Sequence, residues 1–276
     1  MTLLVRDEDD ILASNLEFHL AHGVDFVIAM DNLSTDRTRD ILLDYERRGV
    51  VHYLFQAEDN FAQHRWVTRM ARLAATEFMA DWVINSDVDE FWWPQDGDLK
   101  RVLSALAPSF AAGQAERTNF VPLGIEADTF FADVMTLREA RSFNALGAPL
   151  PAKVCHAARP DVVVGQGNHS VQLRGRLASA APVAIDILHF PVRSYAKFEN
   201  KIAKGGAAYA RNTELPPGVG ITWRTLYRLL QEGGLRGYYD SLVPSPEDIA
   251  SGLAEGRLIK DERLRTALRK LSAPDR

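Results

Sequence analysis

Short apolar runs and amphipathic stretches alternate through the first ninety residues. Leu3–Arg6, Phe26–Met30, Val50–Phe55 and Trp82–Ser86 are runs of four to six residues, too short for buried helices and rich enough in apolar groups for buried strands. Between them, Asp10–His22 carries Leu12, Leu16 and Leu20 at helical spacing and meets Gly23 as a C-cap. A second helix is predicted over about Thr35–Arg48, with Ile41, Leu42 and Tyr45 on one face, a stop at Gly49 and Ser34 as its N-cap. A third, Phe61–Phe78, aligns Trp66, Met70 and Leu73 as core. Strands and helices in strict alternation mean a largely parallel sheet covered on both faces, so the chain is α/β.

The pattern then changes. Pro94 ends an acidic loop, Leu99–Phe110 reads as a helix and Thr118–Leu123 as a strand. From Gly124 to Ser194 the chain is loop-rich, with short strand candidates at Val162–Val164, Ser170–Leu173 and Ala184–Leu188. Tyr195–Arg211 returns to helix, Pro216-Pro217-Gly218 breaks it, and Thr222–Leu230 and the charged stretch Pro246–Leu271 are helical. The resulting division is a main domain over 1–215 and a helical C-terminal extension over 216–276.

Composition narrows the partners. A 276-residue chain with 46% hydrophobic residues can bury a sizeable core. A net charge of −5 argues against general nucleic-acid binding, which leaves a basic footprint. The lone Cys155 excludes an internal disulfide and fits a reducing compartment. No run approaches 18 apolar residues, and the N-terminus lacks the apolar segment of a signal peptide. The first strand starts so early that a few native residues upstream are expected to be missing. The expected location is the cytoplasm, with at most peripheral contact at the inner face of a membrane.

Acidic and polar clusters follow three of the four strands: Arg6-Asp7-Glu8, Asp31-Asn32-Leu33-Ser34-Thr35-Asp36 and Asp87-Val88-Asp89-Glu90. In a parallel sheet these ends share one edge, the crevice where open α/β sheets bind ligands. Residues i and i+2 of an extended chain point the same way, so Asp87 and Asp89 can converge on one cation. Hard carboxylate oxygens suit Mg²⁺ or Mn²⁺, ions that also take phosphate oxygens from a substrate.

Together these motifs are specific. Arg6-Asp7-Glu8-x-x-Ile11, Asp31-Asn32-x-Ser34-x-Asp36-x-Thr38 and Asp87-Val88-Asp89-Glu90-Phe91, with the later Gly167-Asn168-His169 and His189-Phe190-Pro191-Val192-Arg193-Ser194, resemble family-2-like glycosyltransferases of the GT-A fold. The nearest branch is the one related to family 92. The resemblance spans about residues 3–210, and departs at Asp7, where relatives commonly carry Asn, and in lacking the Glu-Asp pair that often holds the base.

The resemblance implies a GT-A-like, Rossmann-like sheet and transfer of a sugar, with inversion, from a nucleotide diphosphate, a uridine nucleotide first. The acceptor would be a hydroxyl of a glycan or lipid-linked glycan. It implies Asp89 on a divalent ion, Asp87 on the ion or the donor ribose, Glu8 and Asp31 on the nucleoside, Asp31 through the uracil, and Arg6, Ser34 and Asp36 as further donor-binding residues. His189 becomes a third metal ligand, and since imidazole favours manganese over magnesium, Mn²⁺ is the first choice. Arg193 and Lys201 would bind the diphosphate, one as a planar fork and the other as a point charge. For the general base, Glu126, Asp128, Asp133 and His169 stand as alternatives, His169 by its ordinary pKa. Trp92 and Trp93 are equally suited to stacking on a sugar or to the core, and Arg65, Arg69 and Arg72 read as a solvated helix face. Two rivals are a sugar-nucleotide or glycan-binding protein without turnover and a phosphohydrolase using Asp87 as nucleophile. The second lacks the Thr or Val that such enzymes carry where Phe91 stands.

Overall fold

The computed structural model describes residues 1–106, 109–124, 129–216 and 218–272. The expected alternation opens it: β1 (Thr2–Val5), α1 (Leu12–Ala21), β2 (Val27–Asp31), α2 (Thr38–Arg47), β3 (Val51–Phe55), α3 (Gln63–Thr76) and β4 (Trp82–Asp87). Next come β5 (Glu90–Pro94), α4 (Leu99–Ser104), β6 (Ala112–Asn119), α5 (Phe131–Val134), β7 (Leu137–Glu139), β8 (Lys153–Ala157), β9 (Val163–Val164), β10 (Val171–Leu173), β11 (Arg176–Leu177) and β12 (Ala180–His189). The last are α6 (Tyr195–Arg211), α7 (Ile221–Gln231), α8 (Leu235–Leu242), α9 (Pro246–Ala254), β13 (Leu258–Lys260) and α10 (Arg263–Ser272).

Several details differ from the sequence reading, among them the unpredicted strand β8. The acidic loop turns at once into β5, and Pro94 is tolerated because it ends that strand. α4 stops at Ser104 instead of running to Phe110, and β6 starts at Ala112 instead of Thr118. The small residues Ala112 and Ala115 are the ones β6 buries, so it carries little of the β-branched signal. The charged C-terminal stretch is interrupted by β13 after a turn in which Gly256 takes φ +72°, a left-handed conformation open to glycine.

The large sheet has the order β3-β2-β1-β4-β8-β6-β12-β5. β3, β2, β1 and β4 are mutually parallel, while β8 pairs antiparallel with both β4 and β6. The α/β class expected from the pattern is borne out, as a mixed, mostly parallel sheet flanked by helices with further helices at the C-terminal end.

The chain divides into two compact units: Met1–Glu58, Ala62–Arg117 and Pro151–Ile187 form one, and Asp59–Phe61, Thr118–Leu150 and Leu188 onward form the other. In the first, Trp66 and Met70 of α3 pack with Ile28, Met30, Val83 and Val154. Cys155 is buried in the same sheet, where Gly113 lets the strands close: a Cβ on Gly113 would lie 3.1 Å from the Cys155 sulfur and 2.6 Å from a Val183 methyl. Burial pushes the Cys155 thiol up to about 12. The second unit has its own core of Phe198, Ile202, Leu226, Leu235 and Tyr239. Gly205 and Gly206 admit Trp223 and Tyr227 of α7 so closely that added Cβ atoms would stand 2.4 and 2.3 Å from them. Among the described residues, no helix is long and apolar enough to cross a membrane.

Candidate functional site

β1 brings its neighbours to one edge. Val5 pairs with Asp31 and Leu4 with Asp87, so the two aspartates end strands on either side of β1, about 10 Å apart by strand spacing. The loops after β1 and β2 then lock together. The Asp7 N–H donates to Ser34 Oγ at 3.0 Å, while Asp7 Oδ1 accepts from the Thr35 N–H at 2.7 Å. The Glu8 N–H donates to Thr38 Oγ1 at 2.9 Å, and the Asp9 N–H to Asp36 Oδ2 at 3.2 Å. Asp31 accepts from the Ser34 N–H at 3.0 Å and from the Tyr53 hydroxyl at 3.3 Å. Ser34 therefore clamps the preceding loop rather than capping α2, and Asp36, accepting from the Thr38 N–H at 2.9 Å, serves the helix start. Asp7 has φ +55°, a left-handed conformation tolerated by Asp and Asn alike. Either residue supplies the oxygen that Thr35 needs, so the departure from Asn at this position leaves the loop chemistry intact.

The third cluster is built from longer-range partners. Asp87 Oδ2 accepts from the buried Lys153 ammonium at 2.5 Å, and Oδ1 from Gln63 Nε2 at 3.2 Å and Asn168 Nδ2 at 3.4 Å. Gln63 Oε1 in turn accepts from the Gly167 N–H at 3.1 Å, closing a ring between the start of α3 and the turn at 166–168. Burial would push the Asp87 carboxyl up, but the Lys153 charge beside it outweighs that and holds it below its ordinary range. Glu90 is fully buried, 3.2 Å from Lys153 and 3.3 Å from Arg117. There burial wins, and the Glu90 pKa is raised despite both cations. The backbone around Asp89 is held from α1: Asn15 Nδ2 donates to the carbonyls of Val88 at 2.8 Å and Glu90 at 2.9 Å. His19 Nδ1–H donates to the Asn15 carbonyl at 2.8 Å, which leaves Nε2 to accept the Trp92 N–H at 3.1 Å. Burial depresses the His19 pKa to about 3, so the ring stays neutral in this role. Trp92 is wholly buried and donates to Ser86 Oγ at 3.0 Å, which makes it core, while Trp93 stacks on Phe18.

His169 lies in the first unit and donates from Nδ1 to the Ala152 carbonyl at 2.9 Å. Burial, with Lys153 as the next cause, lowers its pKa to about 4, so the neutral ring carries its lone pair on Nε2. Asp133 is paired with Arg269 at 2.8 Å; Glu126 and Asp128 lie outside the described residues. Arg72 donates to the Val162 carbonyl at 2.8 Å. In the second unit, His189 ends β12 with Nδ1 against Asn119 Oδ1 at 2.7 Å. Arg193 is buried, donating to the Phe190 carbonyl at 3.1 Å, and Lys201 is half-buried on α6.

Residues 2–120 match the model of glycosyltransferase family 92. This segment is similar to the glycosyltransferase family 92 domain. That bears out the family resemblance read from the motifs at Arg6, Asp31 and Asp87, all of which lie in the matched segment. No curated protein sequence matches the chain. Among solved structures it is similar to S. aureus TarS: for residues 1–349 of that protein, identity is 11% and the TM-score 0.39, over 89% of this chain and 75% of the other. The same protein in complex with UDP-GlcNAc gives 11% identity and a TM-score of 0.42, over 89% and 76%.

Around the segment matched to family 92, sequence reading missed Gln63, Arg117, Lys153 and Asn15, and assigned Glu90 no role of its own. A lysine or glutamate reads as exposed unless a partner is known, and these partners are 24 to 75 positions away. The Gly167-Asn168 turn was visible in the sequence, since Gly167 at φ +75° with a Cβ position 2.7 Å from the His169 ring admits no side chain.

A divalent ion, which the family resemblance implies, meets a mixed donor set. Among the described residues, no three His, Cys, Asp or Glu side chains group to hold an ion. Magnesium-type ions are commonly held by one or two carboxylates and completed by substrate phosphates, which Asp89 fits as a hard oxygen donor. Asp87 fits less well, because its oxygens already face Lys153, Gln63 and Asn168.

Proposed function

We propose that this chain transfers a sugar from a nucleotide diphosphate sugar, with a uridine nucleotide as the first choice, to a hydroxyl of a glycan or lipid-linked glycan. The observation that carries this reading is the Asp87–Glu90 segment, held from α1, α3, β6, β8 and the turn at 166–168, at the sheet edge that also gathers the Arg6–Glu8 and Asp31–Asp36 loops. In this reading Asp89 holds Mn²⁺ or Mg²⁺ together with the diphosphate, with His189 as a further ligand. The ion supplies Lewis-acid stabilisation of the charge that develops on the departing diphosphate. Asp87, kept ionised by Lys153 and oriented by Gln63 and Asn168, accepts hydrogen bonds from ribose hydroxyls. Asp31 and Glu8 serve the nucleoside, and Arg193 and Lys201 the diphosphate. The acceptor oxygen attacks the anomeric carbon as the bond to the diphosphate oxygen breaks, with inversion, and a base takes the hydroxyl proton. His169 suits that role because it is neutral at physiological pH, although a pKa near 4 limits its strength as a base. Asp133 is less suited, its carboxylate being engaged by Arg269.

The experiment is thermal stability against a panel of nucleotide diphosphate sugars, each with and without Mn²⁺. A ligand at a hundredfold excess over its dissociation constant stabilises the folded state by about 2.7 kcal/mol. A metal-dependent shift with one uridine nucleotide sugar is expected. Its absence across the panel at millimolar ligand sinks the donor assignment. Asp89→Asn is expected to lower kcat/KM for transfer by roughly 10²–10³-fold, the range for losing one preorganised charge stabiliser, with an unchanged melting temperature. Full activity in that variant removes Asp89 from the metal.

A further inference from the structure

His189 and Asn119 lie in the second unit, each as the last residue of a strand (β12 and β6), and are joined twice. The Phe120 N–H donates to the His189 carbonyl at 2.8 Å, and the rings of Phe120 and Phe190 stack with centroids 4.3 Å apart, fixing the backbone at both residues. The side chains then meet, with His189 Nδ1 2.7 Å from Asn119 Oδ1.

Which atom carries the hydrogen in that contact follows from what lies on the other side of the amide. Asn119 Nδ2 donates to the Phe143 carbonyl at 3.2 Å. The Ser142 hydroxyl accepts the Asn119 backbone N–H at 2.8 Å, which holds the backbone at this residue. A flipped amide would set its oxygen against the Phe143 carbonyl, acceptor against acceptor. The amide orientation is thus set by the Phe143 carbonyl, and its oxygen faces the imidazole. An oxygen at 2.7 Å requires an N–H, so the hydrogen sits on His189 Nδ1. Neutral imidazole holds one such hydrogen, which leaves the lone pair on Nε2.

We propose that Asn119, itself oriented by the Phe143 carbonyl, is a positioning residue that locks His189 in the Nδ1–H tautomer and makes Nε2 the ring atom that accepts a metal ion or a proton. A ligating imidazole commonly donates its other N–H to an oxygen, which fixes both ring direction and tautomer. An amide in this position fixes the tautomer without adding a charge beside the ring. The use of Nε2 in sugar transfer rests on the function proposed above; the tautomer does not.

The test is nitrogen NMR of the full chain labelled with ¹⁵N-histidine, in which ring correlations distinguish the two tautomers. His189→Gln identifies the His189 signals among those of the seven histidines. The wild type is expected to show Nδ1–H at His189. Asn119→Leu, which removes the oxygen while keeping the shape, is expected to shift His189 toward Nε2–H and to lower kcat for transfer about 10- to 100-fold, the usual cost of losing such a partner. KM for the donor is expected to hold, and Asn119→Asp, which keeps an acceptor oxygen, to retain the wild-type tautomer. An Nε2–H signal in the wild type overturns the proposal, and so does a tautomer unchanged in Asn119→Leu. If Asn119→Leu does not fold, the wild-type spectrum and Asn119→Asp decide. A locked tautomer in a protein that transfers no sugar leaves this inference standing and overturns the functional reading alone.

Discussion

The loops after β1 and β2 and the segment after β4 bring acids to the same sheet edge but give them different partners. In the first two loops, Asp7, Asp31 and Asp36 accept from backbone N–H groups of the segment that follows β2. After β4, Asp87 and Glu90 meet the side-chain cations Lys153 and Arg117. An acid bonded to backbone amides shapes a loop, and an amide side chain can do much the same. An acid bonded to a buried cation cannot lose its partner so cheaply, because the charge left behind is unpaired in a poor solvent. The difference separates the acids that build the edge from those whose charge matters there.

The largest effect that could break this comparison is expected at Lys153. Lys153→Met leaves Asp87 and Glu90 without their shared ammonium and should cost about 3–5 kcal/mol by denaturant unfolding. A cost below about 1 kcal/mol would mean the cluster is solvated and the contrast is false.

A smaller effect comes from the histidines that stay neutral by burial. The pKa of His19 is depressed to about 3 and that of His156 to about 4, both from an ordinary 6.5. The unfolded chain takes up those protons below pH 6.5 and the folded chain does not, so their contribution is complete above 6.5 and is lost as pH falls. By pH 5 each should have withdrawn about 2 kcal/mol of stability. In His19→Gln, the fall in stability between pH 7 and pH 5 should shrink by that amount; an unchanged slope would show that His19 protonates in the folded chain.

The smallest effect sharpens the other half. Asp7→Asn keeps an oxygen for Thr35 and a residue at ease with positive φ, so unfolding free energy should change by no more than about 0.5 kcal/mol. A loss above about 2 kcal/mol would assign the Asp7 charge a role that the backbone bonds do not require.

What the sequence disclosed follows from how far each signal reaches. β1 to β4 and the helices between them announce themselves because each carries its own periodicity, and parallel connection leaves little choice about which ends meet. The acids at Asp31 and Asp87 were legible for that reason. β8 was not, because Lys-Val-Cys-His-Ala is short, starts on a charge, and finds its partner strand β4 more than seventy residues earlier, where Val83 pairs with His156. Lys153 and Asn15 were hidden on the same ground: their importance lies in what they touch, and no local pattern encodes that. Gly167-Asn168-His169 was noticed as a motif, but its hold on Gln63 and Asp87 emerged only with the fold.

The thiol of Cys155, shut inside the sheet with its pKa raised to about 12, has a practical consequence. At neutral pH almost none of it is thiolate, the form that reacts with maleimides, iodoacetamides and methanethiosulfonates. The natural chain is therefore already a silent background for attaching probes. One cysteine introduced at an exposed position, such as Met79 or Leu177, would be the reactive group that takes a fluorophore or spin label, with no prior replacement of the native residue.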